Sequence, residues 1–196
     1  MSPLLIASLL MAPSAGPSVG AAAPDFTLPA SSGKTHSLSD FRGKTVVLEW
    51  TNPGCPFVVK HYKSGNMQAL QKWATEKGVI WLTVDSSAPG KQGYLDAVTG
   101  EAARKEGKWS STALLLDPDG TVGKLYAAKT TPHLYVVDPA GKLAYMGGID
   151  DNPSPDPATI KESKNYVKAA LEDLLAGRAV SVPTSKPYGC GVKYKD

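Results

Sequence analysis

The chain is poor in the residues and patterns from which most binding sites are built. Its 196 residues hold two cysteines and three histidines. His36 and His133 have no carboxylate or cysteine partner at zinc-site spacing. There is no glycine-rich phosphate loop and no serine-nucleophile motif. Lysines are scattered and never form a block. A balance of 21 basic against 18 acidic residues leaves a net charge of +3, too little to argue for a nucleic-acid partner. No internal repeat is visible. The acid-rich stretch "DDNPSPD", Asp150 to Asp156, lacks the ligand spacing of a calcium loop and reads as a solvated turn.

Basic residues are also missing from the beginning, where no Lys or Arg precedes Lys34. Residues 1–16, "MSPLLIASLLMAPSAG", contain an eight-residue apolar run from Leu4 to Met11. A bilayer span needs about 20 apolar residues, so this run is too short to cross one. It suits the core of a secretory leader, although the basic region that usually precedes one is absent. The expectation is an exported protein, periplasmic or otherwise extracytoplasmic. Two cysteines in that setting can form a disulfide; in the cytosol the same pair would be reactive or metal-binding.

What is present is a regular alternation of elements. One domain is expected over residues 20–178, followed by a tail at 179–196 that carries Cys190. "TVVLEW", Thr45 to Trp50, is apolar and β-branched and predicts a buried strand. After a turn at Asn52-Pro53-Gly54, Cys55 and Pro56 open a helix, because proline is favoured at the first helical position. A break is expected near Ser64-Gly65, with Asn66 capping a second helix that Gly78 ends. Strands follow at 79–85 and 112–117, separated by a weak helix over 94–106. A short helix comes next. His133 to Asp138 and Leu143 to Gly148 form a hairpin around Pro139-Ala140-Gly141-Lys142. A final helical region is expected to begin at Asp156-Pro157 and to stop at Gly177. Early strands that alternate with helices favour parallel pairing, and the hairpin adds antiparallel strands on the other side. The fold class is α/β, a mixed central sheet with helices on both faces.

The candidate reactive group is Cys55. A thiolate at a helix N-terminus meets unpaired N–H groups and the positive end of the helix dipole, which lower its pKa. Asn52 and Thr51 are placed to donate hydrogen bonds to the sulfur. Lys60 and His61 lie further along the helix and are expected to project away from it. Cys190, 135 positions later, sits on a Pro/Gly-rich tail. It is the candidate resolving cysteine, the thiol that clears a sulfenic acid or mixed disulfide on the first. A static disulfide and two thiols that never meet stand beside that reading. Tyr188 and Tyr194 are expected to pack the tail onto the domain. Cys55, His61 and Met67, at intervals of six, raise a copper(I) alternative, but residues six apart fall on different faces of a continuous helix.

Several stretches resemble a known group. "APDFTL", "LSDFRGKTVVLEW", "NPGCPFVVKHY…GNMQALQ", "TTPHLYVVDPAGKLAYMGGIDD" and "PYGCGVKY" are similar to the thioredoxin-like redoxins. The match is to the peroxiredoxin-like branch of the alkyl hydroperoxide reductase and thiol-specific antioxidant superfamily, over about residues 20 to 194. The resemblance implies a thioredoxin-like fold with Cys55 as the active thiol and no cofactor. It also implies a cis-proline facing Cys55, at Thr131-Pro132. Two features depart from the wider group. The second position of a Cys-x-x-Cys pair holds Val58. The proline and threonine places of the peroxiredoxin signature hold Leu48 and Asn52.

The expected function is thiol-dependent redox chemistry. Cys55 attacks a peroxide or a protein disulfide, Cys190 resolves the intermediate, and an external thiol reductant restores both. Asn52 orients the thiol, and Thr131 and Pro132 shape the substrate groove. A copper-binding thioredoxin-fold protein and a non-catalytic binding module are the alternatives.

Overall fold

Phe26 and Leu28 are buried while Thr27 and Pro29 face water, the period-two signature of a half-buried strand. The computed structural model describes residues 16–195; the apolar run Leu4 to Met11 lies outside them. Strand β1 (Thr27–Pro29) pairs antiparallel with β2 (Thr35–Ser37), and a 3-10 turn follows at Leu38–Phe41. Next comes β3 (Val46–Trp50), with all five residues buried. A strand covered on both faces reads as a continuous apolar run, which is why "VVLEW" carries no polar alternation.

Helix α1 (Pro56–Lys63) starts with Cys55 as its N-cap and Pro56 at the first helical position. Helix α2 (Asn66–Glu76) follows at once. Its N-cap is Gly65, in the left-handed region at φ 77°, which a residue without Cβ adopts at no steric cost. Asn66 is therefore the first helical residue rather than the cap. Then come β4 (Ile80–Asp85), α3 (Ala97–Glu106), β5 (Ala113–Leu116) and the short α4 (Thr121–Leu125). Asp96 and Thr99 cap α3 reciprocally. The two-residue β6 (Thr130–Thr131) leads into the hairpin of β7 (His133–Val137) and β8 (Leu143–Gly147).

The sequence expectation errs at the last helix. Asp156 and Pro157 begin a separate 3-10 turn (Pro157–Glu162), and α5 (Tyr166–Leu175) starts later, capped by the Asn165 side chain. Both sites carry a good cap, but buried apolar residues occur only on the second helix, at Val167, Ala170 and Leu171. The chain ends in β9 (Cys190–Gly191), which pairs antiparallel with β6.

The central sheet has the order β5-β4-β3-β7-β8. β3, β4 and β5 are parallel, and β7 and β8 are antiparallel to their neighbours. Alternate β3 residues feed two cores. Val46, Leu48 and Trp50 pack with Leu82, Val84, Tyr126 and Tyr135. That face is covered by α4, β1 and the first 3-10 turn. Val47 packs with Trp81, Leu134 and Val136 beneath α2 and α5.

Glu49 points into the second face and is fully buried. Its carboxylate accepts from Trp81 Nε1 at 2.7 Å, Tyr62 Oη at 2.8 Å, Gln71 Nε2 at 3.1 Å and Thr83 Oγ1 at 3.4 Å. Burial pushes its pKa up to about 7, against the pull of those four donors. The unfolded chain binds this proton only below about 4.5. The resulting stabilisation is complete below that pH and is lost as pH rises through about 7. It amounts to roughly 3 kcal/mol across the window. His61 and His133, both held down to about 4 chiefly by burial, tilt the wild-type curve the opposite way. The telling quantity is therefore the difference between wild type and Glu49→Gln in urea unfolding from pH 4.5 to 7.5. The wild type should lose stability relative to the variant as pH rises. A flat difference would overturn this assignment.

Candidate active site

The end of β3, the start of α1 and the turn before β7 meet at Cys55. Thr51 still bonds to β4, through its amide to the Val84 carbonyl at 2.9 Å. The chain then turns, and the Cys55 amide bonds to the Asn52 carbonyl at 3.0 Å. The thiol has no solvent exposure. Its Sγ donates to the Thr131 carbonyl at 3.0 Å. The Thr131-Pro132 peptide is cis, as the resemblance implies. Thr131 and Pro132 thus lie directly against Cys55.

Cys190 joins them. Its strand pairs Cys190 with Thr131 and Gly191 with Thr130, and Val192 N bonds to the Lys129 carbonyl at 3.2 Å. Gly189 makes the approach possible: a Cβ at that position, where φ is 138°, would sit 2.0 Å from the Thr131 carbonyl oxygen. Both cysteines are free thiols. Burial opposes ionisation of Cys55, but hydrogen bonds from the Cys190 thiol and the Cys190 amide outweigh it. With smaller help from the Val58 amide, the Cys55 pKa falls below its ordinary value. Cys190 moves the other way, pushed up to about 11 by burial and by the bond to and charge of Cys55, with Lys193 opposing. The two thiols are therefore unequal: one is suited to be a thiolate and the other to remain a donor.

The tail is not the loose arm that its composition suggests. Upstream of Cys190 it runs along β8, with Met146 N bonded to the Pro183 carbonyl and Ser185 N to the Met146 carbonyl. Downstream, Ala88 N bonds to the Lys193 carbonyl and Tyr194 Oη donates to the Ala128 carbonyl at 2.8 Å. The Tyr194 ring lies against Gly120 and Gly123. Tyr188 rests on Phe57 of α1, ring centroids 5.8 Å apart. The expectation that both tyrosines pack the tail onto the domain is met.

Asn52 has a different job from the one its position suggests. Its Nδ2 donates to the Gln92 carbonyl at 2.8 Å and faces Ser87 Oγ at 3.4 Å, while its Oδ1 accepts from Gly54 N at 2.8 Å. The side chain fixes the turn that delivers Cys55 and bonds that turn to the loop after β4. Its amide group is thus engaged with that loop rather than with the sulfur. Thr51 Oγ1 and Thr131 Oγ1 are buried without a hydrogen-bond partner.

The copper ligand set is not assembled. His61 Nδ1 faces Asn66 Nδ2 at 2.8 Å, and Nε2 faces Tyr188 and Asp150, so both ring nitrogens are engaged. Met67 lies in the apolar cluster with Trp81 and Val167. Among the described residues no group of three or more His, Cys, Asp and Glu is arranged to hold a metal ion. Of the "DDNPSPD" acids, Asp151 and Asp156 serve local structure, whereas Asp150, expected in a solvated turn, is buried against Lys60, His61 and Tyr188. Asp151 accepts from Lys164 N, Asn152 from Ser154 N, and Asp156 from Ala158 N. No helix among the described residues is long and apolar enough to cross a membrane.

Sequence reasoning passed over Glu49 and read Asp150 as part of a solvated turn. The available signal was a carboxylate inside a strand that otherwise reads as fully buried. Asp150 gave none, because its partners come from α1 and the tail.

Comparison with known proteins was made against this geometry. Residues 19–146 match the model described as the AhpC/TSA family, a span that includes Cys55 and Thr131-Pro132 but not Cys190. A hypothetical protein from Sinorhizobium meliloti 1021 is 25% identical; the match covers 91% of this chain and 95% of that one, with a TM-score of 0.77. An uncharacterized conserved protein from Geobacillus kaustophilus is 26% identical over 91% of this chain and 93% of its own, with a TM-score of 0.75. A protein from Chlorobium tepidum, described as a thiol:disulfide interchange protein DsbE, is 26% identical over 80% and 99%, with a TM-score of 0.55. A search of curated proteins found no match.

The acidity of Cys55 can be measured by thiolate absorbance near 240 nm. Removing the Cys190 thiol with Cys190→Ala deletes one of the two donors from the tail. The midpoint of Cys55 ionisation should then rise. An unchanged midpoint would show that the Cys190 thiol does not act on Cys55.

Proposed function

The chain belongs to the AhpC/TSA family and is a thiol redox protein, and we propose that it exchanges disulfides through a reversible Cys55–Cys190 bond. The observation that carries this reading is the convergence of the Cys190 thiol and amide on Cys55, from a strand paired with Thr131. In sequence, Val58 stands where a nearby second cysteine would be. In space, the tail supplies one.

The step balances as follows. The Cys55 thiolate attacks one sulfur of a substrate disulfide, whose other half leaves as a thiolate and takes a proton from water. Cys190 then loses its proton and its sulfur attacks Cys55 Sγ, expelling the second substrate thiol. The substrate has gained two electrons and two protons, and the protein has given them up, its two S–H bonds replaced by one S–S bond. An external dithiol returns the protein to its starting state. The pKa order supports these roles, because the better thiolate attacks first and the poorer one stays protonated until the mixed disulfide forms.

A disulfide is favoured over a peroxide as the oxidant. A peroxide site needs a free donor where the family signature has threonine. Here that place holds Asn52, whose amide is engaged with Gln92. The substrate class is a protein or peptide disulfide, with an external thiol reductant as second partner. The Leu4–Met11 run supports operation outside the cytoplasm, where such disulfides persist.

The test is a trapping experiment with glutathione disulfide or a cystine peptide, read by intact mass after acid quench. Cys190→Ser should accumulate a mixed disulfide on Cys55. Cys55→Ser should form none and should exchange at least about 100-fold more slowly than wild type. Equal exchange by Cys55→Ser and wild type would sink the proposal.

A further inference from the structure

Tyr188 stands two residues before Cys190, and its seat is built on the same helix that Cys55 caps. Phe57, Lys60 and His61 share one face of α1, as i, i+3 and i+4 positions must. The Tyr188 ring meets Phe57 edge-on, and Lys60 Nζ lies 5.7 Å from its centroid. Its hydroxyl donates to Asp150 Oδ1. His61 Nε2 lies 3.3 Å from the same hydroxyl. With Asn66 Nδ2 donating to His61 Nδ1 at 2.8 Å, the ring proton sits on Nε2 and points to the Tyr188 oxygen. The bonds therefore run one way, from Asn66 through His61 and Tyr188 to Asp150.

Asp150, Lys60 and His61 are each no more than 3% exposed. Lys60 Nζ donates to the Asn152 carbonyl at 3.0 Å and lies 3.8 Å from Asp150 Oδ2. Asn152 N bonds to Asp150 Oδ1 at 3.1 Å. A buried carboxylate, ammonium and imidazole need all their partners, since an unsatisfied buried polar group costs more than an ordinary hydrogen bond returns. Tyr188 supplies the partner that the rest of the domain does not. Lifting the tail would strip Asp150 of its hydroxyl donor and leave His61 Nε2 facing only Asp150 at 3.8 Å. The docked tail is thus the arrangement in which this polar cluster is satisfied.

Resting on the Cys55–Cys190 reading above, we propose that Tyr188 is a positioning residue for the dithiol: its hydroxyl, latched to Asp150 between Lys60 and His61, holds Cys190 against Cys55. The latch and the sulfur contact sit at two points of one short run, Tyr188-Gly189-Cys190. Gly189 presses between them on the Thr131 carbonyl, so the run has little room to shift independently at its two ends.

The experiment equilibrates wild type, Tyr188→Phe and Asp150→Asn in glutathione redox buffers and counts the Cys55–Cys190 disulfide by mass after acid quench. Tyr188→Phe keeps the ring on Phe57 and removes one hydroxyl. It should shift the dithiol–disulfide equilibrium toward the dithiol by about tenfold. The pH midpoint of Cys55 ionisation should rise with it, a readout that general loosening far from the sulfur would not move. Asp150→Asn should show a loss at least as large, and the double variant less than the sum of the two, because both break the Tyr188–Asp150 contact. Should Asp150→Asn fail to fold, Tyr188→Phe alone decides. If the wild type forms the disulfide and Tyr188→Phe matches it in both readouts, the latch is overturned and the disulfide reading stands. If the wild type forms none in oxidising buffer, the disulfide reading itself falls and the latch falls with it.

Discussion

One backbone carbonyl, that of Thr131, carries the arrangement of the site. It accepts the Cys55 thiol, it belongs to the residue paired with Cys190, and Gly189 presses against it. The carbonyl and its contacts come from three parts of the chain. The helix that begins at Cys55 is set by β3, the turn at Thr131 by β7, and Cys190 by the tail. The central sheet holds the first two in register, since β3 and β7 are hydrogen-bonded neighbours and Trp50 lies opposite His133. The site is therefore as well positioned as the middle of the sheet.

Burial and hydrogen bonding pull against each other at this carbonyl. A thiol with no solvent exposure ought to resist ionisation, yet Cys55 is shifted toward the thiolate because donors from the tail face it. The protonated sulfur bonds to the Thr131 carbonyl; the ionised sulfur has the Cys190 amide and thiol. Glu49 meets the same conflict with the opposite outcome, since four donors do not overcome complete burial. The difference is one of balance: the desolvation opposing ionisation of Glu49 exceeds what its donors return, whereas that opposing Cys55 is smaller than the contribution of the donors facing the sulfur.

Much of the fold was legible because its signals were local. The apolar runs gave the strands, Pro56 and Gly65 marked the two helices, and the Pro139–Lys142 turn gave the hairpin. The late start of α5 was hidden because Asp156-Pro157 is as good a beginning as Asn165, and only burial separates them. At the site, the chemistry of Cys55 was readable from its place before Pro56, whereas the facing Thr131-Pro132 was supplied by resemblance rather than by residue pattern. The destination of Asn52 could not be read, because its partners Ser87 and Gln92 lie in a loop 35 and 40 positions away. The tail was half legible. Its tyrosines signalled that it packs on the domain, whereas its Pro/Gly composition hid the strand at Cys190, where Gly189 lets the backbone approach Thr131.

The distance along the chain between the two thiols has a thermodynamic consequence. In a Cys-x-x-Cys motif the sulfurs are neighbours whether or not the protein is folded. Here a bond between them would close a loop of some 135 residues, and by chain entropy such a link disfavours the unfolded ensemble by roughly 5 kcal/mol. The coupling is reciprocal: whatever oxidation adds to the native state, the native state adds to the oxidised pair. Once opened, the chain is a polymer with two dilute thiols and no redox identity of its own. The proposed disulfide would draw its stability from the folded state rather than from the local sequence.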